Sequence, residues 1–460
     1  MTSSNMPITI SKSDYMLFLK HPAWIWVKKN KPELIPPVDE NQQVIFDAGH
    51  QFEQYAEALF PEGVSIGFSF DDSEQSYWSM PERTNAAIER GDQVLFQPRF
   101  VWQDFTCISD IVSFVGDKEV DLYEIKASTS AKPEHAFDLA YQTAVLEGAG
   151  YSVKNIYVIH VNKEYIRNGE IKADEITKIT DITEDVRSKG ELTAKYMPMA
   201  LETAQRQQMP DPDPTLAKLG SKSDWLKIYE NIVPQEPDQY PDDLQPTIQH
   251  DEIKQFLDEL KFPLYFLDYE TMMSLVPYFD GHRPYQQIPF QYSLHVLQTA
   301  DSELEQREYL HRENSDPSRP LAEQLLKDIG TEGTVLVWYE GFEKARNSEL
   351  GDMYPDLKDQ MEAINDRVVD LMIPFKKKWY DDPRFNGSAS IKQVLPVLVP
   401  ELSYKELGIQ EGGSAQRLWM EAVLDDKRAD QKETIFNDLV EYCKLDTLAM
   451  VEIYKVLLKL

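Results

Sequence analysis

The sequence predicts an α/β fold, built twice along one chain of 460 residues. Three observations carry that expectation. Strand-like runs alternate with helical periodicity in both halves, the pattern of helices packed on a mixed sheet. Hydrophobic residues make up 42% and charged residues 27%, which is enough apolar material for two cores and is not a disordered composition. A proline-dense stretch (Pro210, Pro212, Pro214, Pro234, Pro237, Pro241 and Pro246) stops helices and central strands between the halves. The expected division is a first domain over 1–208, a linker over 209–250 with room for one short helix at 225–232, and a second domain over 251–460.

In the first half, helical spacing runs over 11–30, with Tyr15, Phe18 and Leu19 and capping-type residues before them, and over 46–60 through Phe52, Tyr55, Ala56 and Leu59. Strands are expected over 94–101, 106–115 and 120–126, then a helix over 137–148 and a strand over 156–161. The second half opens on an apolar strand over 263–270, with further strands at 291–297 and 335–338. Helices are expected over 320–329, 343–350, 355–365 and 432–460, and Glu411 to Ser414 reads as a flexible turn.

Composition limits the function. Lys plus Arg total 47 against 79 Asp plus Glu, a net charge of −32, which repels phosphate backbones at long range and argues against a protein that coats nucleic acid. A metal-dependent nuclease survives that argument, because bound cations reverse the local charge. Two cysteines exclude a disulfide scaffold, a four-cysteine zinc site and an iron–sulfur cluster. With no basic leader before an apolar stretch and no apolar run near the ~20 residues of a membrane span, the expectation is a cytoplasmic protein with no membrane partner.

Two constellations carry chemistry. Asp110 lies in one strand run, and Glu124 and Lys126 in the next, across the loop Gly116-Asp117-Lys118. A three-residue loop sets Asp110 opposite Glu124, and period-two alternation puts Glu124 and Lys126 on one face. The carboxylates suit Mg²⁺ or Mn²⁺ and the lysine suits a water or a phosphate. Taken alone, Glu-x-Lys also fits a solvated hairpin with an incidental salt bridge, but Ile111, Val112, Leu122 and Ile125 mark these strands as buried. In the second half, Asp268 and Glu270 share a face at the end of an apolar strand. Asp446 interrupts the apolar stripe of the last helix, with Tyr442 one turn before it.

The first constellation, followed by a helix carrying Gln142, resembles the RecB-type branch of the PD-(D/E)XK nucleases over 11–167. The resemblance implies metal-dependent nuclease chemistry, with Asp110 and Glu124 as ligands, Lys126 as the catalytic lysine and Gln142 as a substrate contact. For the family's upstream ligand, Gly49-His-Gln-Phe-Glu53 offers Glu53 at the better spacing and His50 at a worse one. Many RecB-type relatives hold an iron–sulfur cluster through four cysteines; here packing must replace it.

The second constellation resembles the DEDD exonucleases of the ribonuclease H-like fold, in the subtype ending in Tyr-x-x-x-Asp. Asp268 and Glu270 match the first motif and Tyr442 and Asp446 the last. In Val337-Trp-Tyr-Glu-Gly-Phe-Glu343, Glu343 stands where the family has Asp, and Asp370 is a second acid nearby. The stretches 266–272, 288–292, 367–371, 387–392 and 442–450 are similar to a bacterial family of predicted ribonuclease H-like exonucleases often fused behind a RecB-type domain. This implies two Mg²⁺ or Mn²⁺ ions on Asp268, Glu270, Glu343 and Asp446, with Tyr442 orienting the attacking water. The expected activity is 3′→5′ exonuclease cleavage of DNA or RNA beside a second, RecB-type site. Lys392, with Ser388 and Ser390, is placed to donate to a phosphate, and Lys376-Lys-Lys-Trp-Tyr380 mixes basic and aromatic residues as single-strand grooves do. The alternative is a nucleic-acid-binding subunit with one or both sites inactive, in a repair or defence complex. Any helicase partner is then a separate chain, since no Gly-x-x-x-x-Gly-Lys-Ser/Thr loop is present.

Overall fold

The structure, a computed structural model, describes residues 8–69, 74–217, 219, 222–233 and 244–460. It is α/β with mixed sheets, in two compact units: Met1–Pro237 with Leu275–Pro277, and Asp238–Ser274 with Tyr278–Leu460.

The first unit is centred on a six-stranded sheet ordered Val64–Ser65, Val94–Phe96, β1 (Ile111–Gly116), β2 (Glu119–Lys126), β3 (Ser152–Val161) and Thr177–Asp181. Its site-bearing helices are α1 (Lys12–Lys20), α2 (Glu40–Glu57) and α3 (Pro133–Gly148). The helix expected over 11–30 is two helices. Ser11 opens α1 in a capping box with Asp14, and His21 leaves helical geometry before Pro22, which starts Pro22–Asn30. The strand expected over 94–101 is also cut. Gln97 takes a left-handed φ of 54°, so Val94–Phe96 stays in the large sheet while Arg99–Trp102 pairs with Phe105–Ile108 in a second one. A similar break between Ile108 and Ile111 leaves Asp110 just outside β1.

The β1–β2 register is the one expected, with Ile111 opposite Tyr123 and Val112 opposite Leu122. The turn itself is only Asp117-Lys118, and a bulge between Phe114 and Gly116 absorbs the difference. Leu139, Tyr141 and Val145 of α3 share one core with Val120 and Leu122 of β2 and Ile156 and Val158 of β3. Within the proline-rich stretch, helix Lys222–Ile232 buries Trp225, which stacks on His21 at 4.3 Å and donates from Nε1 to the Pro212 carbonyl. Pro234, Pro237 and Pro241 lie outside the described residues.

The second unit is built on a five-stranded sheet ordered β6 (Glu305–Leu310), β5 (Ile288–Leu297), β4 (Leu264–Met272), β7 (Thr334–Val337) and β8 (Val368–Asp370). Central β4 runs antiparallel to β5 and parallel to β7. Its first four residues, Leu264 to Leu267, are buried because both faces are covered there. Tyr265, Leu267 and Tyr269 pack towards α4 (Ser318–Asp328), while Leu264 and Phe266 pack towards the final helix, Lys432–Leu457. Alternation therefore delivers Asp268 and Glu270 to the final-helix side. Between these lie α5 (Glu340–Met353), α6 (Ile391–Leu398) and α7 (Gly412–Val423), so the final helix is α8. The turn expected at Glu411 to Ser414 instead opens α7. Packing of its Trp419 on Phe290, ring centroids 4.5 Å apart, overrides the two glycines.

A polar seam fixes α8 on β5. Gln291 Nε2 donates to the Leu439 carbonyl at 2.9 Å, and Thr447 Oγ1 lies 2.8 Å from both Ser293 Oγ and His295 Nδ1. These directional contacts set the rotation of α8, and so the face on which Tyr442 and Asp446 emerge. Among the described residues no helix is long and apolar enough to cross a membrane.

Thr447→Val keeps the shape but strips the seam of its shared oxygen. It is expected to lower stability by about 1–3 kcal/mol, read as an earlier urea midpoint for the second unit. An unchanged midpoint contradicts the seam.

Candidate functional site

In the first unit β2, α1 and α3 bring charges together around Glu124, which is 1% exposed. Glu124 Oε1 accepts from Lys126 Nζ at 2.6 Å and Lys12 Nζ at 2.8 Å, and its Oε2 accepts from Gln142 Nε2 at 2.7 Å. Asp138, four residues before Gln142, accepts from Lys126 at 2.7 Å and from Gln142 at 3.0 Å. Burial would raise Glu124, but Lys12 and Lys126 hold it well below the usual carboxylate range. Asp110 Oδ2 accepts from the Ile125 amide at 2.7 Å. Burial, and then the Glu124 charge, push Asp110 up to about 7. Glu53 is raised by burial, opposed by His50 and reinforced by Glu124, and it lines a cleft of about 430 Å³ with His50 and Ile125. Thus Asp110, Glu124, Lys126, Gln142 and Glu53 do share one region. Lys12 and Asp138 complete it, and neither was expected. Asp138 was readable as the residue one helical turn before Gln142, whereas nothing in the sequence ties Lys12 to a strand more than a hundred residues later.

In the second unit the acids meet at the end of β4. Among the described residues, one group of potential ligand atoms lies within 4.8 Å of one another: those of Asp268, Glu270 and Cys443. Cys443 follows Tyr442 on α8. Its thiol is pushed up by burial and by these acids, and it donates to the Asp268 carbonyl at 3.8 Å. Asp268 is raised well above its ordinary range by burial and then by Asp446, Glu270 and Glu343. Glu270 is raised by burial and Asp446, with Lys392 opposing. Burial lifts Asp446 to about 6 against a 2.6 Å hydrogen bond donated by Tyr404 and the pull of Lys392.

Glu343, in the first turn of α5, is 2% exposed, and its Oε2 has no hydrogen-bond partner. Burial takes it up to about 8. Asp370 has a different task, since its Oδ1 accepts from the amides of Tyr339 and Met372, 3.0 Å each, and so shapes the entry to α5. Tyr442 is raised by burial and by Asp446, Glu270 and Asp268, which keeps its hydroxyl a donor. Lys392 Nζ donates to the Gln410 carbonyl at 3.0 Å and stands 5.6 Å and 5.8 Å from the Tyr404 and Tyr442 ring centres. The structure therefore gathers Asp268, Glu270, Glu343, Asp446, Tyr442 and Lys392. Tyr404 was missed because it lies in a short turn with no periodicity. His282, His295 and His311 are bound to Asp316, Thr447 and Ser315. Lys28 and Lys29 pair with Asp14.

A family described as a domain of unknown function, DUF2779, matches residues 265–390. That span holds Asp268, Glu270, Glu343 and Asp370 and stops short of Lys392, Tyr404, Tyr442 and Asp446. The chain is 25% identical over 216 residues to an uncharacterized protein of Mycoplasma genitalium, covering 43% of this chain and 32% of that protein. It is 26% identical over 230 residues to a homologue in Mycoplasma pneumoniae, covering 44% and 33%. The chain thus spans about a third of the length of these curated relatives.

A carboxyl raised on folding binds its proton more tightly in the folded state, so its stabilisation is full below the unfolded value and is lost as pH rises through the folded one. With Asp446 at about 6 and Glu343 at about 8, the metal-free protein is expected to lose stability from these groups between about pH 4 and about pH 8. A divalent cation needs the ionised ligands, so Mn²⁺ should raise Tm more at about pH 8 than at about pH 5. Thermal melts with and without Mn²⁺ check this, and an equal shift at both pH values contradicts it.

Proposed function

We propose that the second unit is a ribonuclease H-like, DEDD-type exonuclease that removes nucleotides from a 3′ end, and that the first unit is a RecB-type nucleic-acid site. One observation carries the reading. Asp268, Glu270, Glu343 and Asp446 come from β4, α5 and α8 to one buried place, where each is raised by burial and Lys392 opposes the rise of Glu270 and Asp446. Such a cluster is costly in any protein that does not use it. Hard carboxylate oxygens, one of them without a partner, fit Mg²⁺ or Mn²⁺.

Asp268, Glu270, Glu343 and Asp446 are the residues that would hold the metal. When bound, it would neutralise charge at the scissile phosphate and lower the pKa of a water molecule. The protein's own groups do the rest. Tyr404 fixes the orientation of Asp446 through its hydroxyl. Tyr442, kept protonated, donates from the acids' edge to a water or a phosphate oxygen. Lys392 attracts an anionic strand to a chain of net charge −32.

For the first unit a second reading has its own support. Glu124 already accepts from Lys12, Lys126 and Gln142, so a metal there must displace an ammonium group. That balance favours a unit that grips a phosphate with Lys12 and Lys126 over one that cuts.

The test uses purified protein, Mn²⁺ and 5′-labelled single-stranded DNA and RNA. Wild type should give a ladder shortening from the 3′ end. Asp268→Ala should slow it by more than the roughly 10–100-fold that loss of a ligand's supporting partner costs. Lys126→Ala should retain the ladder with weaker binding. Loss with Lys126→Ala alone reverses the assignment of the two units, and no cleavage by wild type ends the nuclease reading.

A further inference from the structure

Two sequence features that the proposed function leaves unused, the basic-aromatic run at 376–380 and the Ser-rich turn at 387–390, come together in the second unit. With the β7–α5 turn they enclose a cleft of about 520 Å³, in the range of small-ligand pockets. Its wall is fixed: Trp338 stacks on Phe375 at 5.6 Å and donates from Nε1 to the Ala389 carbonyl at 3.1 Å. Its rim is not. Tyr339 is 54% exposed and holds a left-handed φ of 86°, a costly geometry for an aromatic residue, kept in place by the bond from its amide to Asp370. Lys376 is exposed on the same cleft, whereas Lys378 is paired with Asp381 at 3.3 Å. The residues that precede α5 and α6, Tyr339 and Ser390, both line it, so both helices begin there. Glu343 lies in the first turn of α5, and Lys392, whose charge acts on Glu270 and Asp446, in the first turn of α6. The cleft therefore lies at the starts of the two helices that carry Glu343 and Lys392.

Resting on the nuclease reading above, we infer that this cleft holds the terminal nucleotide of a single strand, with the base against Tyr339 and its phosphate facing Lys376 and the Ser388–Ser390 turn. An aromatic rim beside a cation is what a base and a phosphate require together, and every base has a face to stack. A cavity of this size takes one unstacked nucleotide and excludes a duplex. The chain's acidity makes the site local: away from such lysines the surface repels the strand.

The experiment measures binding of a short 5′-fluorescein oligothymidylate to the full chain by anisotropy in EDTA, where nothing is cut. A second probe ends in an abasic 3′ nucleotide. Tyr339→Ala keeps the Cβ and the backbone strain while removing the ring, and should weaken binding about tenfold. Lys376→Glu should weaken it and reduce the salt slope by about one. Lys327→Glu, elsewhere on the unit, should bind as wild type. The abasic end should weaken wild type by as much as Tyr339→Ala does and cost that variant nothing further. Equal binding by wild type, Tyr339→Ala and Lys376→Glu overturns the inference, as does an abasic penalty that is the same in wild type and Tyr339→Ala. Cleavage in Mn²⁺ is scored apart. A wild type that binds through Tyr339 yet never shortens the strand fails the nuclease reading and leaves the cleft standing. One that shortens it with both variants binding normally overturns the cleft alone.

Discussion

Like charge held in a place that water cannot screen is the constraint around which the second unit is built. Asp268 and Glu270 stand on the same face of the central strand, and α8 brings Asp446 against them. Burial drives all three up first; Asp268 and Glu270 are raised further by neighbouring acids, whereas Tyr404 and Lys392 pull Asp446 back. The unit tolerates this because its framework does not depend on the acids. The β4 alternation gives both faces of the sheet apolar partners, and Gln291, Ser293, His295 and Thr447 fix α8 by bonds that involve none of the four carboxylates. Rigidity is supplied from outside the site, which leaves the carboxylate oxygens available to a ligand.

The first unit solves a similar problem in the opposite way. Its buried Glu124 and Asp138 are matched by Lys12 and Lys126 within the protein itself, and Gln142 bridges the two acids. Charge there is balanced by fixed ammonium groups, so the region is stable without a cation. Asp110 and Glu53, by contrast, are both raised by burial. The two units therefore carry similar residue types in opposite electrostatic states: acids balanced by lysines in the first, acids raised by burial in the second.

Much of this was legible in sequence where a periodicity exposed it. Period two placed Asp268 with Glu270 and Glu124 with Lys126, and the three-and-four spacing of the last helix singled out Tyr442 and Asp446. The β1–β2 register was readable because turn length constrains it, and the bulge that replaced one turn residue left the pairing unchanged. What was not legible depends on tertiary contacts. Tyr404 and Lys12 reach their acids from turns and helix starts far away in the chain. Gln97 breaks a strand that its flanking residues favour, because the two pieces serve different sheets. The glycines at 412 and 413 become helix because Trp419 needs that helix to reach Phe290.

The central claim is that the β4–α5–α8 carboxylates form a metal centre, and anomalous diffraction from crystals of the protein soaked in Mn²⁺ tests it most directly. The account predicts a Mn²⁺ peak at about 2.1 Å from oxygens of both Asp268 and Glu270, with Glu343 or Asp446 completing the shell and Cys443 outside it. A site with no peak under those conditions, its acids hydrogen-bonded to one another, would contradict the account.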